Sequence, residues 1–542
     1  MSVYFSRGRS RRTRRPSGVL QQTVSLHRLT PWLAAVLLGL VPVAPYSIGA
    51  DPAAGIGVSL ELVLAWAVLH RAGNAARWGL AAGWAVLVSF TLMRAASRIA
   101  SDVELPIGDL FLLVRPLVVV TRDLYGAPIA YGALAIAALL PLSLVAVGRW
   151  LWEQADQRRP VPPLALVVAV GLVVLPGSRS VGLELTMDAW KSWTMAAAFR
   201  AEQRARATSS LEQRQPKRKP HIELLIVESY GMVTGELADA PRWRATLAEL
   251  QRRTEASGWS TVSGVSVAPV HGSRSWVADA SVFTGLKISH QSDFERAIRR
   301  VPTITTLPSW FADRGWQTLL MRQADRARPG VHLQNHFDFQ HTTFFDDLDY
   351  RGPSAGWGYI PDQFALHRLR HDRLPALPDG PHLAFVHLAT SHVPWSGVPP
   401  LLDDPLAWQT RRGAREWQSH QPSPWEALRL VARRFRPPNR QAADIDEIQA
   451  RYVHAVDYSL RATVRTLPDP AEHPALLIVM GDHQPPFLAP GRPPDVPVHV
   501  LASDPQLLET FREAGFGEGW TPSEGRIAHH DLLPMLVDVV SR

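Results

Sequence analysis

Polar and apolar positions divide the 542-residue chain into stretches of different rhythm. Residues 31–50, 124–148 and 160–178 run without a charged side chain, and two shorter apolar stretches, 54–69 and 78–93, lie between the first two. A spanning helix needs about 20 apolar residues, within a range of about 17–25. The three uncharged runs meet that length. The shorter pair is marginal, with Glu61 interrupting the first, and a buried helix of a soluble protein would read the same way. Closeness in sequence favours membrane for all five and predicts an α-helical transmembrane domain of five spans over 31–180. One further stretch, "DLFLLVRPLVVVTRD" (109–123), is apolar around Arg115 and Pro116. A charge near mid-bilayer is costly, so this stretch is predicted to be interfacial or re-entrant. Were it to span, everything after it would change sides.

Beyond residue 180 the rhythm changes. Leu183, Met187, Trp190, Trp193 and Ala197 recur at three- and four-residue steps in a polar stretch. That spacing predicts an amphipathic helix on the membrane surface or a plain connector helix. "QPKRKP" (215–220) follows as a linker, so 181–220 is a juxtamembrane unit. From 221 to 542 short apolar runs alternate with helical stretches, which predicts an α/β domain with a mostly parallel sheet flanked by helices. The predicted strands are 222–229, 318–323, 382–390, 475–483 and 496–502; the predicted helices are 241–254, 306–315 and 444–467.

Charge then fixes orientation. Residues 1–30 hold seven arginines (Arg7, Arg9, Arg11, Arg12, Arg14, Arg15, Arg28) and no acid, in a chain whose net charge is +8. This basic tail stays cytoplasmic by the positive-inside rule. "HRAGNAARW" (70–78) and "GRWLWEQADQRRP" (148–160) are basic as well, and with five spans both fall inside. Residues after about 180 then lie outside. The rest of the chain is nearly neutral, which argues against a nucleic-acid partner. There is no cysteine, so disulfides, thiolate metal sites and thiol nucleophiles are excluded.

Candidate chemistry gathers at two strand ends. "LLIVESYG" (224–231) is an apolar run that stops on Glu228 and Ser229, and "LLIVMGDHQPPF" (476–487) stops on Asp482 and His483. Ligands of open α/β sheets collect at the carboxyl ends of strands. Either end alone could be a strand meeting solvent. Together they offer two carboxylates and an imidazole, a donor set for one divalent ion such as manganese or zinc.

These two stretches resemble the first and last metal-ligand strands of the alkaline phosphatase/sulfatase superfamily. Within it the chain most resembles the lipoteichoic acid synthase-like phosphoglycerol transferases, with phosphoethanolamine transferases as cousins. The resemblance covers 31–542 and implies a sulfatase-like catalytic domain outside the membrane. It implies metal ligands at Glu228, Asp482 and His483, with a nucleophile that also binds the metal in "HGSRSWVADASVFTGL" (271–286). Ser275, with Asp279 four residues on, matches best, and Ser273 is the alternative; the relatives use threonine. A helix cap at either serine is the structural alternative. Ser229 follows Glu228 directly and faces the other way if the strand continues, though not if it has already turned.

By the same resemblance "FVHLATSHVPW" (385–395) assigns His392 to the substrate phosphate or leaving group. "GWGYIPDQF" (356–364) likewise offers Trp357 and Asp362 to a substrate pocket. His341, His387 and His499 are expected to be structural. Ser275 is followed by "WVAD", which does not fit the modified nucleophile of sulfatases. The implied function is transfer of a phosphoglycerol or phosphoethanolamine headgroup from a phospholipid to an envelope glycan or lipid-linked acceptor. The implied setting is a bacterial inner membrane, with the catalytic domain periplasmic or extracellular. A phosphoester hydrolase of the same superfamily and an inactive envelope-assembly scaffold are the alternatives.

Overall fold

The structure is a computed structural model. It describes residues 73–155 apart from 102–104, and 180–542 apart from 208–209, 300, 302–303, 327–334, 354–359, 394, 396, 410–437, 471–473, 487–488 and 490, with 37–38, 40–43 and 59–61 ahead of them. The apolar runs 31–50, 54–69 and 160–178 therefore lie wholly or largely outside the described residues.

The remaining apolar sequence forms α1 (Asn74–Ser101), α2 (Ile107–Tyr125) and α3 (Ala127–Ala155). Among the described residues two helices are long and apolar enough to cross a membrane, over Asn74–Arg98 and Ala127–Gln154. They pack closely: a Cβ on Gly148 would lie 2.9 Å from the Trp84 ring. Among the described residues the outer face of α3 is uncovered, with Ile136 69% and Leu142 66% exposed. The stretch around Arg115 and Pro116 is one continuous helix, α2. Next comes α4 (Val181–Ala207), and the stripe anticipated for this segment is uncovered at Leu183, Met187, Trp190 and Trp193.

The α/β domain runs in the order β1 (His221–Val227), α5 (Ala240–Ala256), β2 (Ser260–Val267), α6 (Ser275–Thr284), α7 (Gln291–Ile298), β3 (Gln317–Arg322), β4 (His341–Phe344), α8 (Asp362–Arg368), β5 (His382–Leu388), α9 (Pro438–Arg465), β6 (Ala475–Gly481), β7 (Asp495–Ala502), β8 (Gly517–Glu518), β9 (Arg526–Ala528) and α10 (Leu532–Ser541). The sheet order is β4-β3-β5-β1-β6-β7-β2-β8, with β9 beside β2. From β4 to β6 every pairing is parallel. The β6–β7, β7–β2 and β2–β8 pairings are antiparallel.

Strand β1 lies mid-sheet and is buried on both faces, as a parallel strand covered by helices should be. Leu224 and Ile226 face the cluster built with Val277, Phe283 and Leu536, while Leu225 and Val227 face Leu247, Phe364 and Val456. Phe283 meets Phe385 edge to face at 4.5 Å between centroids. All five anticipated strands form. Strand β2 has no apolar run to announce it. Its sequence STVSGVSV is nonetheless buried along almost its whole length, with Ser263 and Ser266 each 2.8 Å from the ring of a buried histidine, His499 and His529.

Candidate active site

Three neighbouring strands, β5, β1 and β6, converge at their carboxyl ends. Ile226 of β1 is paired with His387 of β5, and Val227 with Gly481 of β6. Glu228 and Asp482 are therefore the first residues past two adjacent strands. Two glycines let those ends press together. A Cβ on Gly231 would lie 1.9 Å from Gln484 Oε1, and one on Gly481 would lie 1.9 Å from the Tyr230 carbonyl oxygen.

Glu228, His387 and Asp482 are all buried, and one ligand atom from each lies within 4.8 Å of the others. His387 Nε2 is 3.1 Å from Glu228 Oε2 and 3.8 Å from Asp482 Oδ2. His483 Nε2 adds to the group at 3.3 Å from Asp482 Oδ2 and 3.5 Å from Glu228 Oε1. Asp482 Oδ1 accepts the backbone N–H of Ser229 at 2.7 Å and of His483 at 2.8 Å. Its Oδ2 is buried and, among the described residues, receives no well-aligned hydrogen bond. A buried carboxylate oxygen left so is costly, and it points into the group of imidazoles and carboxylates. The donor set and this orphaned oxygen fit a divalent cation.

Residue 387 is where sequence reasoning fell short. It was expected to be structural, yet its ring joins the cluster. Its other nitrogen, Nδ1, lies 3.2 Å from Asp279 Oδ2, and Arg322 pairs with that same oxygen at 2.5 Å. A metal-binding histidine commonly gives its second nitrogen to a carboxylate, which fixes ring and tautomer. The only sequence signal was register: an in-strand histidine beside the end of β1, visible once β5 is known to neighbour β1.

Electrostatics bears on the same point. Burial alone would raise Glu228, but the charges of His392, His387 and His483 outweigh it and hold the carboxyl well below its usual range. Burial and the Glu228 charge push Asp482 up to about 6. Burial would lower His387, yet Asp279 and Glu228 outweigh it and raise the imidazole well above its usual value. Two carboxylates, Glu228 and Asp279, thus hold a positive charge on the His387 ring between them.

Ser275 opens α6, and its hydroxyl turns to the cluster rather than to the helix. Its Oγ donates to Glu228 Oε2 at 2.9 Å and lies 3.3 Å from His483 Nε2. The preceding residue, Arg274, has φ +70°, ψ 49°, a left-handed conformation that costs a non-glycine residue roughly 1–2 kcal/mol. Among the described residues no hydrogen bond joins Ser273 to the cluster. The chain has already turned at Ser229, where φ is +58°, so the alternation argument does not hold there. Ser229 Oγ donates to Glu228 Oε1 at 2.9 Å, but Ser229 is 1% exposed, whereas Ser275 is half-buried.

The remaining candidates separate. His392 is half-buried in the turn after β5, close enough in charge to lower Glu228. Trp357 lies outside the described residues. Asp362 is fully buried, and the structure does not present it to a pocket. Its Oδ1 accepts the N–H groups of Ala389 and Thr390, each at 3.0 Å, and its Oδ2 accepts Ser459 Oγ at 2.6 Å. The carboxylate secures the turn that carries His392. His499 bridges Tyr230 and Ser263 in the core, and His341 reaches Gln317 on the sheet edge.

No family model matches the chain, and neither does any curated protein. Solved structures do. The integral membrane lipooligosaccharide phosphoethanolamine transferase A (EptA) from Neisseria meningitidis is 13% identical at a TM-score of 0.46, over 95% of both chains. A protein in the alkaline phosphatase superfamily from Vibrio parahaemolyticus is 15% identical, TM-score 0.39, covering 63% of this chain and 74% of its own. Streptococcus pyogenes phosphoglycerol transferase GacH, in complex with sn-glycerol-1-phosphate, is 11% identical, TM-score 0.37, covering 64% and 81%. The chain is similar to alkaline phosphatase superfamily members. At such identities the likeness concerns the fold, and the chemistry has to be read from the cluster itself.

Proposed function

We propose that the protein is a membrane-anchored, metal-dependent phosphotransferase that moves a phosphoglycerol or phosphoethanolamine headgroup from a phospholipid to an envelope glycan or lipid-linked acceptor. The observation that carries the reading is the Ser275 hydroxyl, half-buried at a helix start and held between Glu228 at 2.9 Å and His483 at 3.3 Å. Glu228, His387, Asp482, His483 and Ser275 would hold one divalent ion. Such an ion, zinc or manganese, would lower the Ser275 pKa and neutralise phosphoryl oxygens.

Glu228, held anionic, accepts the hydrogen bond of the Ser275 hydroxyl and keeps Oγ aimed at the cluster, and the hydroxyl proton leaves to water as Oγ attacks. The start of α6 offers backbone N–H groups to the phosphate. Ser275 Oγ attacks phosphorus, the bond from phosphorus to the diacylglycerol oxygen breaks, and that oxygen takes a proton from His392. The headgroup phosphate remains on Ser275. An acceptor hydroxyl then attacks phosphorus and gives its proton to His392, the bond from phosphorus to Ser275 Oγ breaks, and Oγ takes a proton back from water. The exposed apolar faces of α1, α3 and α4 keep this domain at the leaflet where the donor lies. With the arginine-rich tail inside, the domain faces the periplasm or the exterior of a bacterial cell.

The test is mass spectrometry of the full chain after reaction with fluorescent phosphatidylglycerol or phosphatidylethanolamine in the absence of acceptor. A headgroup-phosphate adduct on Ser275 is expected, and Ser275→Ala abolishes it. An adduct on Ser273 overturns the choice of Ser275, and an adduct on neither serine overturns the covalent mechanism in favour of direct transfer.

A further inference from the structure

Helix α2 exposes apolar side chains along most of its length: Phe111 is 65% and Leu117 66% exposed. One residue breaks that pattern. Asp109, in its first turn, is 1% exposed, and a carboxylate so buried has to find partners. Among the described residues the partners of the carboxylate all belong to the catalytic domain, more than 160 residues away in sequence. Asp109 Oδ2 accepts the Gln291 N–H at 2.8 Å and Oδ1 the Ser292 N–H at 3.0 Å, so the carboxylate caps the start of α7. His290 Nδ1 is 3.4 Å away, and the buried Arg274 guanidinium is 3.7 Å away.

Arg274 is the residue before Ser275, in the left-handed conformation that turns the chain into α6. Its guanidinium also donates to the Ser289 carbonyl at 3.2 Å. On the other side of the serine, Trp276 Nε1 donates to Gln291 Oε1 at 2.9 Å. Ser275 is thus bracketed by two residues tied to segment 289–292, and that segment hangs on Asp109. An unfavourable backbone turn persists only where its surroundings over-determine it. Here the surroundings include a side chain from outside the domain.

We propose that Asp109 is a positioning residue for the nucleophile: it fixes Arg274, and with it the turn that aims Ser275 Oγ at Glu228 and His483, so that covalent transfer requires α2 seated on the catalytic domain. The inference rests on Ser275 being the nucleophile, as argued above. Its consequence is a membrane-proximal helix that reports its own placement to the reacting hydroxyl. A catalytic domain detached from α2 would keep its fold and its cluster yet carry a loosely aimed serine.

The experiment uses the full-length protein in detergent with fluorescent phosphatidylglycerol and phosphatidylethanolamine as probes. Asp109→Asn, close in shape and without the charge, and Asp109→Ala are compared with Arg274→Ala and with the double variant Asp109→Ala/Arg274→Ala. Bound metal and the thermal midpoint are recorded for each. Misaiming by about 1 Å costs up to about 100-fold, so kcat and the rate of adduct formation on Ser275 should fall about 10- to 100-fold. KM should stay within about twofold and metal content should match the parent. The double variant should be no slower than the worse single one, because both act through one turn. Should Asp109→Ala not fold, the near-isosteric Asp109→Asn carries the comparison alone. A parental kcat in Asp109→Asn, a change confined to KM, or losses that multiply in the double variant overturn the proposal. Ser275→Ala runs alongside: if it keeps the adduct, the nucleophile assignment fails instead, and if it alone is inactive while the Asp109 variants are normal, only the positioning role fails.

Discussion

The helical region and the α/β domain use apolar and polar side chains in opposite ways. In the α/β domain Phe283, Phe385 and Val479 are fully buried, and a buried group of carboxylates and imidazoles lies where three strands end. In α1–α3 Trp84, Phe90 and Trp152 are buried between helices, but many large apolar side chains point outward, Phe111, Ile136 and Leu142 among them. Asp109 caps α7, while Glu61 accepts the N–H groups of Gly182 and Leu183 at the start of α4. Arg94 pairs with Glu184 at 3.0 Å. Because lipid offers no hydrogen bonds, Asp109 and Glu61 are matched by N–H groups of the protein, Asp109 at the start of α7 and Glu61 at the start of α4. The difference teaches that apolar runs build a core in the α/β domain and leave an exposed apolar surface on the helical region.

The strongest way to break this contrast is at the strand ends. Glu228→Ala, Asp482→Ala and His387→Ala should each cost on the order of 10³-fold in turnover, as loss of a metal ligand removes several kcal/mol of transition-state stabilisation. Bound metal measured by elemental mass spectrometry should drop with it. Asp279→Asn, which removes the charge that holds the far side of His387 and pairs with Arg322, should cost about 10- to 100-fold. Full metal content in the Glu228 and Asp482 variants would refute the site. Full content in His387→Ala alone would return that histidine to a structural role.

Sidedness can be tested next. Alkaline phosphatase fused after residue 200 should be active in a bacterial host, and fusions within 149–159 inactive, as five spans and an arginine-rich cytoplasmic tail require. An inactive fusion at 200 would mean that α2 spans or that another run does not.

A paired substitution separates core from lipid-facing surface. Phe283→Ala should destabilise by about 3–5 kcal/mol, the usual cost of emptying a packed aromatic site. Ile136→Ala, on a face without protein neighbours, should stay within about 0.5 kcal/mol in detergent. Equal losses in thermal unfolding would show that the outer face of α3 is covered by protein.

How far the fold could be read ahead of the structure depended on local signals. Continuous apolar runs disclosed β1, β5 and β6, because parallel strands buried on both faces have no polar side to alternate with. Strand β2 escaped because its hydroxyls are satisfied by His499 and His529, partners more than 230 residues away. Glu228, Asp482 and His483 were readable as polar residues ending such runs, and Ser275 through its resemblance and its helix start. His387 was not, since its role depends on strand order, which no local stretch contains. Asp362 misled for the converse reason. A carboxylate beside aromatic residues reads as pocket-lining, and only the N–H groups of Ala389 and Thr390 reveal that it is already occupied.

The smallest effect concerns a buried charge away from the site. Glu223 on β1 is paired with Arg370, and His382 Nε2 lies 3.5 Å from its Oε1. Burial alone would raise its carboxyl, but the Arg370 and His382 charges outweigh burial and hold it at about 2, against an ordinary value of 4.5. A carboxyl depressed in the folded state contributes stability that is complete above its unfolded value. That contribution is lost as pH falls from about 4.5 through about 2, because the unfolded chain takes up the proton first. Over that window one proton corresponds to about 1.4 kcal/mol per pH unit. Glu223→Gln should therefore be less stable than the parent at neutral pH, where it leaves Arg370 without its charge partner. The gap should narrow steadily on acidification and be smallest near pH 2. Thermal midpoints of both proteins measured from pH 7 down to pH 2 decide it. Parallel curves across that range would mean that Glu223 titrates alike in the folded and unfolded chain, and that the ion pair under β1 does not hold its charge.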